Sequence, residues 1–85
     1  MGADTRFYSN ESVGDIGWAV TQLRNQKRVV RKGWNGKGMW LELQVPGDLS
    51  KMTLPYVYMR TAQGDLVPWL CSQTDLLAMD WETVR

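Results

Sequence analysis

The chain contains no histidine. It therefore has no Ser–His or Cys–His dyad, no imidazole for a metal, and no side chain whose unperturbed pKa lies near neutrality. A His/Cys zinc site is excluded within one chain. Carboxylates and lysines remain for acid–base work, but a binding protein is favoured over a hydrolase. Cysteine is nearly absent too. Cys71 alone cannot close an intramolecular disulfide, and a reducing cytoplasm is its expected setting. No uncharged apolar run approaches the roughly 18 residues of a membrane span. No basic start leads into an apolar stretch, so neither a transmembrane segment nor a signal peptide is expected. Charge of one sign is also missing: ten Lys/Arg against nine Asp/Glu leave +1. A protein that coats nucleic acid is usually far more basic.

What is present fits one small domain of 85 residues and 9.8 kDa. Area scaling gives about 64% of the unfolded surface buried on folding, enough for a thin core. Hydrophobic residues at 44% and charged residues at 22% fit a globular chain. Five Trp are the compositional outlier. The cations are locally concentrated in Lys27, Arg28, Arg31 and Lys32, either a solvated helix end followed by an edge strand or a cationic rim that attracts phosphate.

Residues 1–11 are polar and aperiodic and are expected to form a flexible arm ahead of a single domain over 12–85. Ser12 reads as a helix N-cap, with Asp15 completing a shortened capping box. Val13, Ile16, Val20 and Leu23 fall on one face, predicting a helix over 13–25 that buries this stripe. Trp18 lies about 180° away, on the face expected to meet water or a partner. Residues 29–31 read as a short strand. Met39, Leu41, Leu43 and Val45 then alternate with Trp40, Glu42 and Gln44, so the first set should enter the core and Trp40 should line a cleft or subunit contact. Tyr56 and Tyr58 alternate with Val57 and Met59 without showing which pair faces inward. Further strands are expected over 56–61, at 66–67 and over 81–84, and Ser72 or Thr74 can cap a short helical turn. The fold class is α+β: one N-terminal helix on a largely antiparallel sheet, with a short C-terminal helical turn.

Two constellations could carry chemistry. The run Gly33-Trp34-Asn35-Gly36-Lys37-Gly38 lacks the spacing of a P-loop and could be only a tight connection. Trp34 nevertheless offers a flat face to a nucleobase, Asn35 a polar edge, and the glycines let backbone N–H groups approach a phosphate. Trp69, followed by Ser72-Gln73-Thr74-Asp75, could be a core indole and a capped turn. It could equally be a stacking wall beside groups that hold a ribose. Cys71, with nothing to activate it, reads as a small buried hydrophobe. Asp65, Asp75, Asp80 and Glu82 are too scattered to name an acid–base pair.

These residues also carry a resemblance. The stretch Lys27-Arg28-Val29-Val30-Arg31-Lys32-Gly33-Trp34-Asn35-Gly36-Lys37-Gly38-Met39 resembles a phage and bacterial family, the second type of Thoeris anti-defence protein. So do Leu41-Glu42-Leu43-Gln44-Val45-Pro46, Met52-Thr53-Leu54-Pro55-Tyr56 and Leu66-Val67-Pro68-Trp69-Leu70. The similarity continues through Ser72-Gln73-Thr74-Asp75-Leu76-Leu77-Ala78 and Asp80-Trp81, covering about residues 13–84. The resemblance implies a homotetrameric sponge that sequesters the cyclic ADP-ribose isomer of Thoeris signalling without cleaving it. It also implies, for some members, capture of CBASS cyclic dinucleotides at a separate site. No cofactor or catalytic residue is implied, nor any metal or membrane. The implied setting is the cytoplasm of an infected or lysogenic bacterial host.

By motif position, the resemblance places Trp34, Asn35, Trp69 and Asp75 in the ligand pocket, with Ser72, Thr74, Met39 and Trp40 as further candidates. Arg31, Lys32 and Lys37 are candidates for phosphate contact. Trp34→Ala and Asp75→Ala are then expected to abolish binding and leave the fold intact. Pockets built between subunits would let so small a chain enclose a nucleotide. The N-terminal arm and Trp18 depart from the family pattern. The competing readings are a nucleic-acid-binding or regulatory module, an enzyme that degrades the same signal with Asp75 or Asp65 as base, and a scaffold with no ligand.

Overall fold

The computed structural model describes residues 13–84; the expected arm and Ser12 lie outside them. Asp15 begins the first helix, α1 (Ile16–Arg24). Its extended backbone turns the carboxylate back to accept from Trp18 N at 2.8 Å. One of the amides that a first turn leaves unpaired is thereby satisfied. The helix starts later than its hydrophobic spacing suggests, and Val13 stands outside it, 79% exposed. At the other end, Gln26 N donates to Leu23 O and Lys27 N to Gln22 O, at 3.0 Å each. This is a Schellman closure, and it forces Gln26 to φ +64°.

The buried arc of α1 is centred on Ala19 and Leu23, with Ile16 and Val20 only half-buried. Including the small Ala19 turns the inward face toward Trp18. Its indole packs half-buried against the core instead of facing water.

Five strands form one antiparallel sheet in the order β4-β3-β2-β1-β5. They are β1 (Val29–Arg31), β2 (Trp40–Gln44), β3 (Tyr56–Arg60), β4 (Leu66–Pro68) and β5 (Trp81–Thr83). A second helix, α2 (Gln73–Leu76), lies between β4 and β5 and is capped by Ser72. Pro68 is tolerated because β4 is an edge strand, where a missing N–H breaks no interior ladder. The α+β expectation holds.

Alternation decides which side chains meet α1. Val29 pairs with Leu41, Leu41 with Met59, and Arg31 with Trp81, so these share the helix-bearing face. Val29, Leu41 and Trp81 join Ala19, Leu23 and Ala78 in the core. Leu43 packs against it. Val45, expected inside, is 53% exposed because the chain leaves the sheet before Pro46. The tyrosine question resolves here. Val57 and Met59 pack toward the core, while Tyr56 and Tyr58 stand on the open face with Trp40, Glu42 and Gln44.

Gly14 ties the start of the described chain to β5, its carbonyl accepting from Trp81 N at 2.9 Å. Its φ is +99°, and a Cβ there would lie 2.6 Å from Met79 O, so this junction requires glycine. None of the described helices is long and apolar enough to cross a membrane.

Candidate functional site

Arg31 ends β1 on the helix-bearing face, opposite Trp81. The chain then turns, with Trp34 N donating to Arg31 O at 3.2 Å. From the other side, the Ser72 cap sets the pose of Asp75. Ser72 Oγ accepts from Asp75 N at 3.1 Å and lies 3.0 Å from Thr74 Oγ1. This places Asp75 in the first turn of α2 with its side chain facing inward and buried.

The two halves meet at Arg31. Its Nη1 donates to Asp75 Oδ1 and its Nε to Asp80 Oδ1, both at 2.8 Å, and its Nη2 lies 3.5 Å from Asp80 Oδ2. Trp34 Nε1 donates to the same Asp75 Oδ1 at 3.1 Å. Gly33 N donates to Asp80 Oδ2 at 2.7 Å, and Trp81 Nε1 to the Asp75 carbonyl at 3.1 Å. Trp81 is the buried centre of an aromatic row. Trp34 and Trp69 meet it edge-to-face, at centroid distances of 5.3 and 6.0 Å. The outer two indoles are half-buried, so each keeps some surface in solvent.

The electrostatics follow from this wiring. Burial pushes the Asp75 carboxyl up, but hydrogen bonds from Arg31, Trp34 and Ser72 outweigh it and hold the group below its usual value. Asp80 is held down chiefly by Arg31, with help from the Gly33 amide. The same two carboxylates, Asp80 first, raise the Arg31 guanidinium. Both aspartates are therefore ionised at neutral pH, and the trio of one guanidinium and two carboxylates carries net −1. Burial raises the Cys71 thiol, which stays protonated; it is half-buried rather than fully enclosed.

The remaining candidates lie elsewhere. Asn35, Lys32 and Lys37 are exposed on or beside the 33–38 loop. Met39 and Trp40 line a cleft of about 710 Å³ with Val30, Gly36 and Trp18, where β1 and β2 stop pairing after Val29 and Leu41; Trp81 lines it too, so the cleft adjoins the Arg31 cluster. On the open face the Arg28 guanidinium sits 4.0 Å from the Trp40 ring centroid. Glu42 there accepts from Tyr58 OH at 2.6 Å and from Arg28 Nε at 3.3 Å. That bond to Glu42 is the main reason the Tyr58 hydroxyl titrates above its ordinary range. Among the described residues no cluster of three or more His, Cys, Asp or Glu is placed to hold a metal.

A family model described as the Thoeris anti-defense 2-like domain matches residues 14–84. The chain belongs to that family. It is also 33% identical to Thoeris anti-defense 2 of Bacillus phage SP01, in an alignment of 82 residues that covers 81% of this chain and 92% of the relative. Membership in the Thoeris anti-defense 2-like family supports a phage anti-defence role. The matched span includes both halves of the Arg31 cluster, from β1 through the 33–38 loop to α2 and β5.

Two members of the cluster were not among the candidates named from sequence. Asp80 and Trp81 form part of a quoted motif, but nothing local distinguishes them. Their partners lie up to 49 positions away, at Arg31. Aspartate next to Trp in a chain with no histidine was the available signal, and it was too general to use.

Proposed function

We propose that this chain is a non-enzymatic sponge that binds and sequesters a nucleotide immune messenger, the Thoeris cyclic ADP-ribose isomer, in the cytoplasm of the bacterial host. The observation that carries the reading is the convergence of Trp34, Trp69 and Asp75 at one cluster in a chain of this family. Two half-exposed indoles give a nucleobase stacking surface. Asn35, Ser72 and Thr74, all exposed beside them in sequence, supply polar groups for base edge and ribose. Phosphates are met at Lys32 and Lys37, with Arg31 contributing the N–H groups that its two aspartates leave. Binding without cleavage suits the electrostatics. Asp75 is held low by three donors and is a weak general base, and Asp65 lies exposed in a turn.

The 710 Å³ cleft at Met39 and Trp40 favours a second nucleotide site, for which a cyclic dinucleotide is the expected ligand. Assembly of several copies completes the reading. Leu49 and Leu70 are 100% and 91% exposed, and Leu54, Leu66, Leu77 and Met79 are also largely uncovered. Apolar surface on this scale in so small a chain suits burial against further copies in a homotetramer.

The test is a release assay. The protein is mixed with the cyclic ADP-ribose isomer or with cyclic dinucleotides, freed of unbound ligand by filtration and heat-denatured, and what emerges is identified by chromatography. Intact ligand appearing only after denaturation supports the sponge. Altered ligand means an enzyme. Retention of nothing removes the nucleotide reading for this panel.

A further inference from the structure

Asp80 has no role in the binding scheme above, yet it holds three consecutive residues at the end of β1. Its carboxylate accepts from Arg31 Nε at 2.8 Å and from Gly33 N at 2.7 Å, and its carbonyl accepts from Lys32 N at 3.1 Å. Because residue 33 lacks a side chain, the ends of the Asp80 and Arg31 side chains lie close against it. A Cβ there would lie 2.9 Å from Asp80 Oδ2 and 3.2 Å from Arg31 Nη2. Charge-assisted bonds of this length are among the stronger polar contacts in a protein. They act at the first residues of a loop that contains three of the chain's eight glycines and so has little stiffness of its own. Trp34 and Asn35 follow at once. The far end of the Trp34 indole is fixed separately, through Asp75, which Arg31 also holds.

We propose that Asp80 is the positioning residue of the 33–38 loop, fixing through the Gly33 amide and Arg31 the pose in which Trp34 and Asn35 are presented. The proposal rests on the reading of Trp34 and Asn35 as ligand contacts. Asp80 touches no ligand in this scheme. It raises the fraction of molecules whose loop is ready to bind, and apparent affinity scales with that fraction.

The experiment uses the full chain, ¹⁵N-labelled, with two variants that disturb the clamp differently. Asp80→Asn keeps the side-chain size and removes the charge. Gly33→Ala keeps every charge and crowds the carboxylate and guanidinium ends that lie against residue 33. In each, the Trp34 indole N–H resonance moves and amide exchange at position 33 speeds up roughly tenfold or more, while the Leu41 and Val57 amides, in the sheet, stay in place. Affinity for the cyclic ADP-ribose isomer, used as the probe, falls roughly tenfold or more in each. The double variant is no weaker than the weaker single one, because both break the same clamp.

A folded Asp80→Asn protein with an unmoved Trp34 resonance and unchanged exchange overturns the proposal, as does affinity within about twofold of the unaltered chain. If Asp80→Asn does not fold, Gly33→Ala decides by the same measures. If the unaltered protein retains no probe, the sponge reading fails by itself, and the resonances at 33 and 34 in the free protein still decide what Asp80 does.

Discussion

Replacing Asp75 by alanine should damage the fold as well as any binding, which departs from the expectation that the fold survives intact. Asp75 Oδ1 is the shared acceptor for Arg31 Nη1 at 2.8 Å and Trp34 Nε1 at 3.1 Å. Losing a hydrogen bond to a charged group removes about 1.5–3 kcal/mol, and losing a neutral donor's partner about 0.5–1.5 kcal/mol. Two effects reduce the sum. Arg31 keeps Asp80, and the carboxylate's own burial penalty disappears with it. A net loss of about 3 kcal/mol results. At roughly 0.05–0.15 kcal/mol per residue, a chain this size has only about 4–13 kcal/mol to lose. Each kcal/mol moves the melting temperature of such a domain by about 4–8 °C, so Asp75→Ala should melt about 12–24 °C lower. Asp75→Asn keeps one acceptor oxygen and the shape, and should lose about half as much. Calorimetry on both variants and the parent, at one protein concentration, measures this. A melting temperature for Asp75→Ala within about 4 °C of the parent would refute the account of Asp75 as the shared acceptor. Asp75→Asn is accordingly the better variant for separating binding from folding.

Acid should unfold the protein through the same cluster. Asp75 and Asp80 both titrate below the ordinary 3.8 when folded, so their contribution is complete above that value and is lost as pH falls through the lower folded values. Urea midpoints should be level down to about pH 4 and then decline, and the doubly substituted Asp75→Asn, Asp80→Asn protein should decline less steeply. Gln26 occupies a left-handed conformation at φ +64°, which costs a residue with a Cβ about 1–2 kcal/mol. Gln26→Gly should therefore stabilise the chain, by about 0.5–1 kcal/mol after the greater entropy of the unfolded glycine is subtracted. An unchanged or lower urea midpoint would show that the helix end relaxes instead.

Much of the fold was legible because its signals are local. The strict alternation from Met39 to Val45 identified β2 and put Trp40 opposite the core, as found. Ser72, read as a possible cap, starts the short helix α2 in the structure. The errors were also local in origin. Helical spacing at Val13 could not reveal that Asp15 caps the helix, and a stripe defined by large side chains passed over Ala19, which sits deepest. For the site, the glycine-rich loop and the Ser72-to-Asp75 turn were visible as two separate candidates. Their meeting on Arg31 was not visible, because no periodicity links residues 44 or 49 positions apart.

The sequence by itself determined the chemistry this protein can use. With no histidine and a near-even balance of charge, the polar and aromatic groups it has to offer are indoles, amides, hydroxyls, carboxylates and a few cations. Its alternation and capping residues likewise set which strands and helices form, since those depend on neighbours a few positions away. The tertiary structure alone decided where each candidate sits and what it contacts. Antiparallel pairing of β1 with β5 brings Arg31 opposite Trp81 and within reach of Asp80, while the cap on α2 turns Asp75 toward the same guanidinium. Side chains that read singly as a phosphate contact, a ribose ligand and a scattered carboxylate are thereby joined in one ionised cluster. A buried charge is stable only beside its partner, and that partner is chosen by strand order in space.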